Sequence, residues 1–209
     1  MPSPQPPSIE FWFDPGSVYS YLSVMRIEET AQRAGVAVRW QPFLLGPIFD
    51  ALGWKAPPFV VQKEKGAYVW QDMQRQCRKY GLPWRRPTVF PRRAVLPTRI
   101  AVLAAGEPWQ SAWCREIMRL NYGEDRDVDT PEVATGVLER LGLPAARILE
   151  AAVGDENRQR LRAATQRASE RGIFGAPTFF VGDEMYWGND RLDDALEAAA
   201  ANGEPVARD

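Results

Sequence analysis

Two serines separated by two residues, Ser17 and Ser20, stand where a β-type run gives way to a helical pattern. The aromatic run at residues 9–13 (IEFWF) is followed by a turn at residues 14–16 (DPG), and the helical spacing begins at Ser17. Free backbone N–H groups and the helix dipole stabilise a negative charge at such a junction. A serine hydroxyl there could donate a hydrogen bond to a thiolate that a ligand supplies. The alternative is that Ser17 only caps the helix, because serine is a preferred N-cap residue.

A second polar cluster, Trp187-Gly188-Asn189-Asp190-Arg191, precedes an alanine-rich C-terminal segment. Backbone N–H groups at a helix start bind carboxylates, Asp190 could accept a hydrogen bond from an ammonium group, and Arg191 could bind an anion. The alternative is an ordinary capped helix start with an exposed arginine.

The spacing of apolar residues predicts the elements that hold these clusters. A helix from Ser17 ends at Gly35, and residues 36–45 (VAVRWQPFLL) form a second strand in a parallel βαβ unit. Residues 46–171 show no convincing strand, and six amphipathic stretches there predict helices near residues 62–80, 97–105, 109–122, 131–141, 145–153 and 155–171.

The β pattern returns near the C-terminus. Residues 179–181 and 185–187 form a hairpin around a Gly182-Asp183 turn, before a last helix at residues 191–201. The order is therefore β-α-β, a helical block, then β-β-α. This order predicts the α/β class and a thioredoxin-like fold with a large all-helical insertion.

The same order predicts the domain organisation. Residues 9–45 and 172–209 would form the thioredoxin-like domain, and residues 46–171 the helical insertion domain. Residues 1–8, rich in proline and serine, would form a disordered N-terminal arm. In this fold a cis proline faces the start of the first helix and leaves the preceding backbone free to pair with an extended peptide. Pro177 is predicted to be that proline, and a trans proline at a strand start is the alternative.

The composition excludes several functions. The 209 residues include no histidine, so serine–histidine and cysteine–histidine catalysis and histidine metal sites are impossible, and we expect no metal. The 26 basic and 27 acidic residues nearly balance without a basic block, so we expect no nucleic-acid partner. Cys77 and Cys114 have neither zinc-site nor redox-pair spacing; we expect small buried apolar residues, although a bridge between them stays possible.

The sequence also lacks signals for a membrane. No apolar run approaches the ~20 residues that cross a bilayer, and the N-terminus has no apolar stretch typical of a secretory signal. We therefore expect a cytoplasmic protein with reduced cysteines and no membrane partner.

Four segments in this order resemble the 2-hydroxychromene-2-carboxylate isomerases, which are DsbA-like relatives of the kappa-class glutathione transferases. They are FDPGSVYSYL (13–22), PFLLGPIFDALGW (42–54), KGAYVWQDMQRQCRKYGLPW (65–84) and GIFGAPTFFVGDEMYWGNDRLD (172–193). The resemblance runs from about residue 9 to residue 200, and the last segment is the most specific.

The resemblance implies that glutathione is the cofactor. Its sulfur would lie at the hydroxyl of Ser17, and its cysteinyl backbone would pair with Ala176 beside a cis Pro177. Its γ-glutamyl end would lie along the turn formed by Trp187, Gly188, Asn189, Asp190 and Arg191. In such isomerases the thiolate adds to a conjugated carbon of the ring-opened substrate, so that a double bond becomes a rotating single bond, and then leaves.

The substrate would be a small aromatic carboxylate, which needs an apolar slot with a polar end. Candidate walls of that slot are Phe43, Leu44, Trp54 and Trp84. Candidate polar partners are Lys65 and Tyr68. The relatives suggest a homodimer.

Two alternative functions stay open at this point. A kappa-like glutathione transferase would use the same thiolate but form a stable conjugate. A non-catalytic thioredoxin-like binding module would have lost its cysteines and kept only a peptide groove.

Overall fold

A four-stranded sheet lies at the centre of the computed structural model, which describes residues 6–54 and 58–203. The strands are β1 (Ser8–Phe13), β2 (Ala37–Pro42), β3 (Thr178–Val181) and β4 (Glu184–Trp187). They lie in the order β2-β1-β3-β4, with β1 and β2 parallel and both β1–β3 and β3–β4 antiparallel. The predicted parallel βαβ unit, the hairpin and the thioredoxin-like class are confirmed.

The helices fall into two groups along the chain. Helix α1 (Val18–Ala34) joins β1 to β2, and α10 (Leu192–Gly203) follows β4 after a 3-10 turn at Asn189–Arg191. Between β2 and β3 lie α2 (Leu45–Ala51), α3 (Pro58–Val61), α4 (Lys63–Tyr80), α5 (Val95–Leu103), α6 (Gln110–Met118), α7 (Pro131–Arg140), α8 (Ala145–Val153) and α9 (Asp155–Glu170). Helix α6 continues as a π-helical turn at Arg119–Gly123. The sequence did not predict α2 or α3.

The sheet carries an apolar core on each face because side chains alternate along a strand. On one face Phe11 stacks on Phe13 and Phe179, with ring centroids 4.9 and 5.3 Å apart, beneath α1 and α10. On the other face Trp12 packs with Phe43, next to residues from α2 and α9. The central strands β1 and β3 are therefore largely buried on both faces.

Strand β2 is shorter than the sequence predicted. We expected a strand as far as Leu45, but β2 ends at Pro42. The backbone N–H of Phe43 makes one further hydrogen bond, to the carbonyl of Phe13. Because β1 ends at Phe13, the following residues have no strand to pair with, and Leu45 begins α2 instead.

The N-terminal arm is also shorter than predicted. Ser8 belongs to β1, where it pairs with Ala37. Residues 1–5 of the predicted arm, and residues 204–209 at the C-terminus, lie outside the described residues. Within residues 6–54 and 58–203, no helix has both the length and the apolar character needed to span a membrane.

Candidate active site

The hydroxyl of Ser17, at the start of α1, forms hydrogen bonds with two backbone groups. Its Oγ accepts a hydrogen bond from the backbone N–H of Ser20 at 3.4 Å, which is N-cap geometry. The same hydroxyl donates to the carbonyl oxygen of Ala176 at 2.9 Å, and the Ala176–Pro177 peptide bond is cis, as predicted. Ser17 therefore caps the helix and also faces the cis-proline loop.

The turn before Ser17 is held by the helical insertion. In the π-helical turn after α6, Nδ2 of Asn121 donates to the carbonyl of Pro15 at 3.1 Å, and the hydroxyl of Tyr122 donates to the carbonyl of Gly16 at 2.6 Å. Both side chains are fully buried. Sequence reasoning missed this contact because its partners lie 106 positions apart.

Asp14 is a second residue whose role the sequence did not reveal. It was interpreted as a turn residue, and its Oδ1 does accept from the backbone N–H of Gly16 at 2.7 Å. Its Oδ2 accepts from the backbone N–H of Leu45 at 2.7 Å and so ties the turn to the start of α2. The side chain lines the cavity yet Asp14 is only 8% exposed, and burial raises the pKa of its carboxyl against the opposing effect of these hydrogen bonds.

The turn at residues 188–191 has two faces. Asn189 is 7% exposed, and its Oδ1 accepts from the hydroxyl of Ser23 at 3.2 Å and from Arg26 at 3.0 Å. Asp190 and Arg191 are exposed, and Oδ2 of Asp190 lies 3.4 Å from Nη2 of Arg191. Of the predicted binding residues, Asn189 therefore holds the turn on α1, whereas Asp190 and Arg191 are accessible to a ligand.

Gly175 lets the cis-proline loop approach this turn closely. A Cβ atom at Gly175 would lie 2.4 Å from Nε1 of Trp187, so only glycine fits without a shift of the indole. The backbone N–H of Gly188 donates to the carbonyl of Pro177 at 3.0 Å. The two predicted binding segments are thus joined directly.

One cavity of about 1160 Å³ connects the two clusters. It runs from Ser17 and the cis-proline loop to the turn at residues 188–191, and α4 forms its outer wall. Four of the six predicted substrate-pocket residues line it: Leu44, Trp54, Lys65 and Tyr68.

The other two predicted pocket residues do not line this cavity. Phe43 is 0% exposed and packs on Trp12 under the sheet, so its assignment as a wall is wrong. Trp84 stacks between Trp70 and Tyr122 and is not among the described lining residues. Both rings serve core packing, which is the commoner role of buried aromatic residues.

Tyr19 is a cavity residue that the sequence analysis did not single out. Its hydroxyl donates to Oδ2 of Asp72 at 2.9 Å and joins α1 to α4. Burial, and then the hydrogen bond to Asp72, raise the pKa of the Tyr19 phenol. Tyr19 therefore stays protonated near neutral pH, and its hydroxyl proton is already donated to Asp72.

The two cysteines of the chain are poor nucleophiles. Cys77 and Cys114 are buried free thiols, so no bridge joins them. Burial raises the pKa of the Cys77 thiol to about 12 and raises that of Cys114 as well. The expectation of small buried residues is confirmed, and any sulfur chemistry in the cavity needs a sulfur from a ligand.

Comparison with known proteins identifies the family of the chain. Residues 8–200 match the family model of the DSBA-like thioredoxin domain. A 2-hydroxychromene-2-carboxylate isomerase of Pseudomonas putida is 31% identical over 185 residues, which are 88% of this chain and 90% of the relative.

Two further comparisons extend this result. A solved structure of a 2-hydroxychromene-2-carboxylate isomerase superimposes with a TM-score of 0.84 at 30% identity, covering 93% of this chain and 95% of that one. Glutathione S-transferase kappa 1 of Caenorhabditis elegans is 25% identical over 212 residues, covering 90% of this chain and 89% of the relative.

Proposed function

Because the chain belongs to the DSBA-like thioredoxin domain family, and within it to the 2-hydroxychromene-2-carboxylate isomerases, it is an isomerase of aromatic catabolism, and we propose that bound glutathione is its cofactor. In this proposal a glutathione thiolate, stabilised by Ser17, would convert an aromatic intermediate of the 2-hydroxychromene-2-carboxylate type to the trans-o-hydroxybenzylidenepyruvate type, through the ring-opened form of the substrate. The observation that carries the proposal is the position of the Ser17 hydroxyl. It lies at the start of α1, on the cavity wall, 2.9 Å from the carbonyl beside the cis proline.

The energy available at Ser17 is enough to ionise a thiol. A free thiol has a pKa of ~8.5, and lowering it by ~2 units requires about 2.7 kcal/mol of thiolate stabilisation. A hydrogen bond to a charged group contributes ~1.5–3 kcal/mol, and a helix N-terminus adds up to ~2 kcal/mol. Because α1 has 17 residues, its dipole is fully developed at Ser17.

Glutathione binding and thiolate stabilisation are linked through one carbonyl group. Without a ligand the single proton of the Ser17 hydroxyl is donated to the carbonyl of Ala176. The cysteinyl N–H of glutathione would pair with that carbonyl and compete with Ser17 as its donor. The Ser17 hydroxyl could then donate to the thiolate while its oxygen still accepts from the backbone N–H of Ser20.

The turn at residues 188–191 would bind the γ-glutamyl end of glutathione. The exposed carboxylate of Asp190 would accept from its ammonium group, and Arg191 would bind its carboxylate. The indole of Trp187, half exposed beside Gly175, would cover the peptide backbone.

The reaction is redox-neutral. When bound, glutathione would supply a thiolate that adds reversibly to a conjugated carbon of the substrate, so that the former double bond could rotate and the thiolate would be released unchanged. Leu44 and Trp54 would hold the aromatic ring, and Lys65 and Tyr68 would bind the substrate carboxylate.

Ser17→Ala tests this assignment, with Ser20→Ala as its matched control. Ser20 is the other serine of the pair, but its side chain is fully buried in α1, and its Oγ has no hydrogen-bond partner among the described residues. We expect Ser17→Ala to lower glutathione-dependent isomerase turnover by about 10- to 100-fold at neutral pH, and to raise the pKa of the bound glutathione thiol in an ultraviolet titration. Ser20→Ala should change neither quantity. Full turnover in Ser17→Ala would refute the role of Ser17.

A kappa-like glutathione transferase is the second candidate, because a kappa-class transferase is among the relatives. It would use the same thiolate but keep the new C–S bond. Fast conjugation of glutathione to a chlorinated dinitrobenzene, without isomerisation of the chromene carboxylate, would favour it. A non-catalytic binding module does not agree with membership in an isomerase family.

Three further expectations belong to this proposal. We propose a homodimer, a cytoplasmic location, and a division into a thioredoxin-like domain (9–45 and 172–209) and a helical insertion (46–171). Size-exclusion chromatography with light scattering tests the first of these.

A further inference from the structure

A second cavity of about 480 Å³ lies between α2, α5 and α9. This volume is within the ~300–1,000 Å³ of small-molecule sites. The cavity shares Leu44, Pro47 and Val95 with the first one, so these residues separate the two spaces. None of the residues proposed above for glutathione borders it among the described residues.

The lining combines an apolar floor with a cationic rim. Leu44, Ile48 and Leu161 give the floor, and Arg99, Arg158 and Arg162 bring three guanidinium groups. The residues contributed by α9 recur every three or four positions, so they form one face of that helix. Within the part of the chain that the structure describes, no acidic residue lines the cavity.

Acidic residues nearby neutralise little of this charge. Arg158 pairs with Asp155 at 3.2 Å, but the Asp155 side chain is 89% exposed and the pair is weak. Arg99 and Arg162 form no ion pair with any described residue. The rim therefore keeps a positive charge.

Arg99 is a half-buried cation on the cavity wall. Its guanidinium group is always charged, and its Nε has no hydrogen-bond partner among the described residues. An anion in the cavity would pair with this charge.

We propose that this second cavity binds a small carboxylate with an apolar body. The carboxylate would bind Arg99 and Arg162, and the apolar body would lie on Ile48 and Leu161. A phosphate ion fits the rim but leaves the floor uncovered, whereas a neutral aromatic molecule leaves the guanidinium groups without an anion. The proposal is independent of glutathione and of the isomerase reaction.

A ligand there would touch a segment that also borders the first cavity. Thr165 lines the second cavity, and its Oγ1 accepts from the backbone N–H of Leu44 at 3.2 Å. The next N–H, of Leu45, donates to Asp14 in the first cavity. Chemical shifts of Leu44 and Thr165 are therefore suitable reporters of binding.

The test is an NMR titration of the full chain with 2-naphthoate, with 2-naphthamide and inorganic phosphate in parallel. For a ligand of this size we expect a Kd of about 1 mM or lower for the naphthoate. Binding of the amide and of phosphate should be at least tenfold weaker, because each lacks one of the two contacts. Equal affinity for all three compounds, or no shift with naphthoate, would overturn the proposal.

Three variants locate the bound probe. Arg162→Gln removes a rim charge and should weaken naphthoate binding about tenfold. Arg160→Gln is the matched control, because Arg160 is an exposed arginine of the same helix, paired with Glu156 and outside both cavities. Lys65→Gln removes a cation from the first cavity only.

Measured at the chemical shifts of Thr165, which lines the second cavity and not the first, we expect both of these variants to bind naphthoate like the wild type. Naphthoate bound at the proposed substrate site would instead be weakened by Lys65→Gln. Equal weakening in Arg160→Gln would mean unspecific attraction to positive charge. Weakening in Lys65→Gln, with no change in Arg162→Gln, would place the probe in the first cavity. Either result would overturn the proposal.

Discussion

The two turns that border the main cavity are built differently. The turn at residues 14–17 receives hydrogen bonds from buried side chains of the helical insertion, and its own carboxylate binds two backbone N–H groups. The turn at residues 188–191 is held on α1 by the side chain of Asn189 and on α10 by an exposed ion pair of Arg191 with Asp194 at 2.9 Å, and its charged residues are exposed. The first can place one atom accurately, whereas the second can adapt to a flexible charged group.

This difference suits the first turn to stabilising a thiolate and the second turn to recognising a charged end of the ligand. A hydrogen bond that stabilises a thiolate depends steeply on distance and angle, so its donor must be fixed. Recognition of a charged ligand end tolerates movement, because charge attraction falls off slowly with distance. We therefore expect variants at the first turn to change stability or kcat, and variants at the second turn to change KM for glutathione.

Asn121→Ala should give the largest effect. It leaves the carbonyl of Pro15 without its donor, and it removes an acceptor of Arg92 that lies at 3.2 Å. We expect a loss of about 2–4 kcal/mol in the free energy of unfolding and at least a ~10-fold loss of kcat, because the Ser17 turn becomes mobile.

Urea unfolding and steady-state kinetics measure these two quantities. Tyr122→Phe is the milder control, since it removes one hydroxyl and should cost about 1 kcal/mol. An Asn121→Ala variant that folds less stably but keeps its kcat would show that the Ser17 turn needs no such support.

Asn189→Ala should have a smaller effect of a different kind. Arg26 keeps its ion pair with Asp193 and its contact with the ring of Tyr80, so we expect a loss of only about 1 kcal/mol in stability. The turn at residues 188–191 should loosen, and KM for glutathione should rise a few-fold at unchanged kcat. A fall in kcat without a change in KM would contradict the division between the turns.

Asp14→Asn should give the smallest effect, seen in the pH dependence of stability. Burial raises the pKa of Asp14 above its ordinary value of 3.8, so the folded protein binds this proton more tightly than the unfolded chain. The stability that Asp14 contributes is therefore complete below pH 3.8 and is lost as the pH rises through the folded-state pKa.

The variant cannot titrate at this position. The difference in unfolding free energy, wild type minus Asp14→Asn, should therefore decrease from acid to neutral pH in a series of urea titrations. Asp190→Asn changes an exposed carboxyl of the other turn and should stay within about 0.5 kcal/mol of the wild type. A difference that grows with pH would show that Asp14 is stabilised as the carboxylate.

The sequence predicted the parts of the fold that depend on neighbouring residues. The cap at Ser17, the end of α1 at Gly35 and the hairpin around Gly182 are local signals, and all three are present. The cis bond before Pro177 was predicted from the expected fold, because no local pattern distinguishes it from a trans bond.

What the sequence did not predict depends on distant contacts. Nothing near Asn121 or Tyr122 indicates that these residues hold the turn before Ser17. Phe43 was expected to be a wall of the substrate slot because it is aromatic, whereas β2 ends at Pro42 and the Phe43 ring is fully buried. An apolar residue at the end of a strand can face either side, and only the packing decides which.

The central position of β1 in the sheet affects how the chain folds while it is being synthesised. Its residues 10–12 pair with residues 178–180, which leave the ribosome long after β1, α1 and β2. Until then one edge of the strand, with its aromatic side chains, has no partner from the same chain, and unpaired edges promote aggregation. A nascent or prematurely terminated chain that ends within the helical block should therefore depend on chaperones or be degraded.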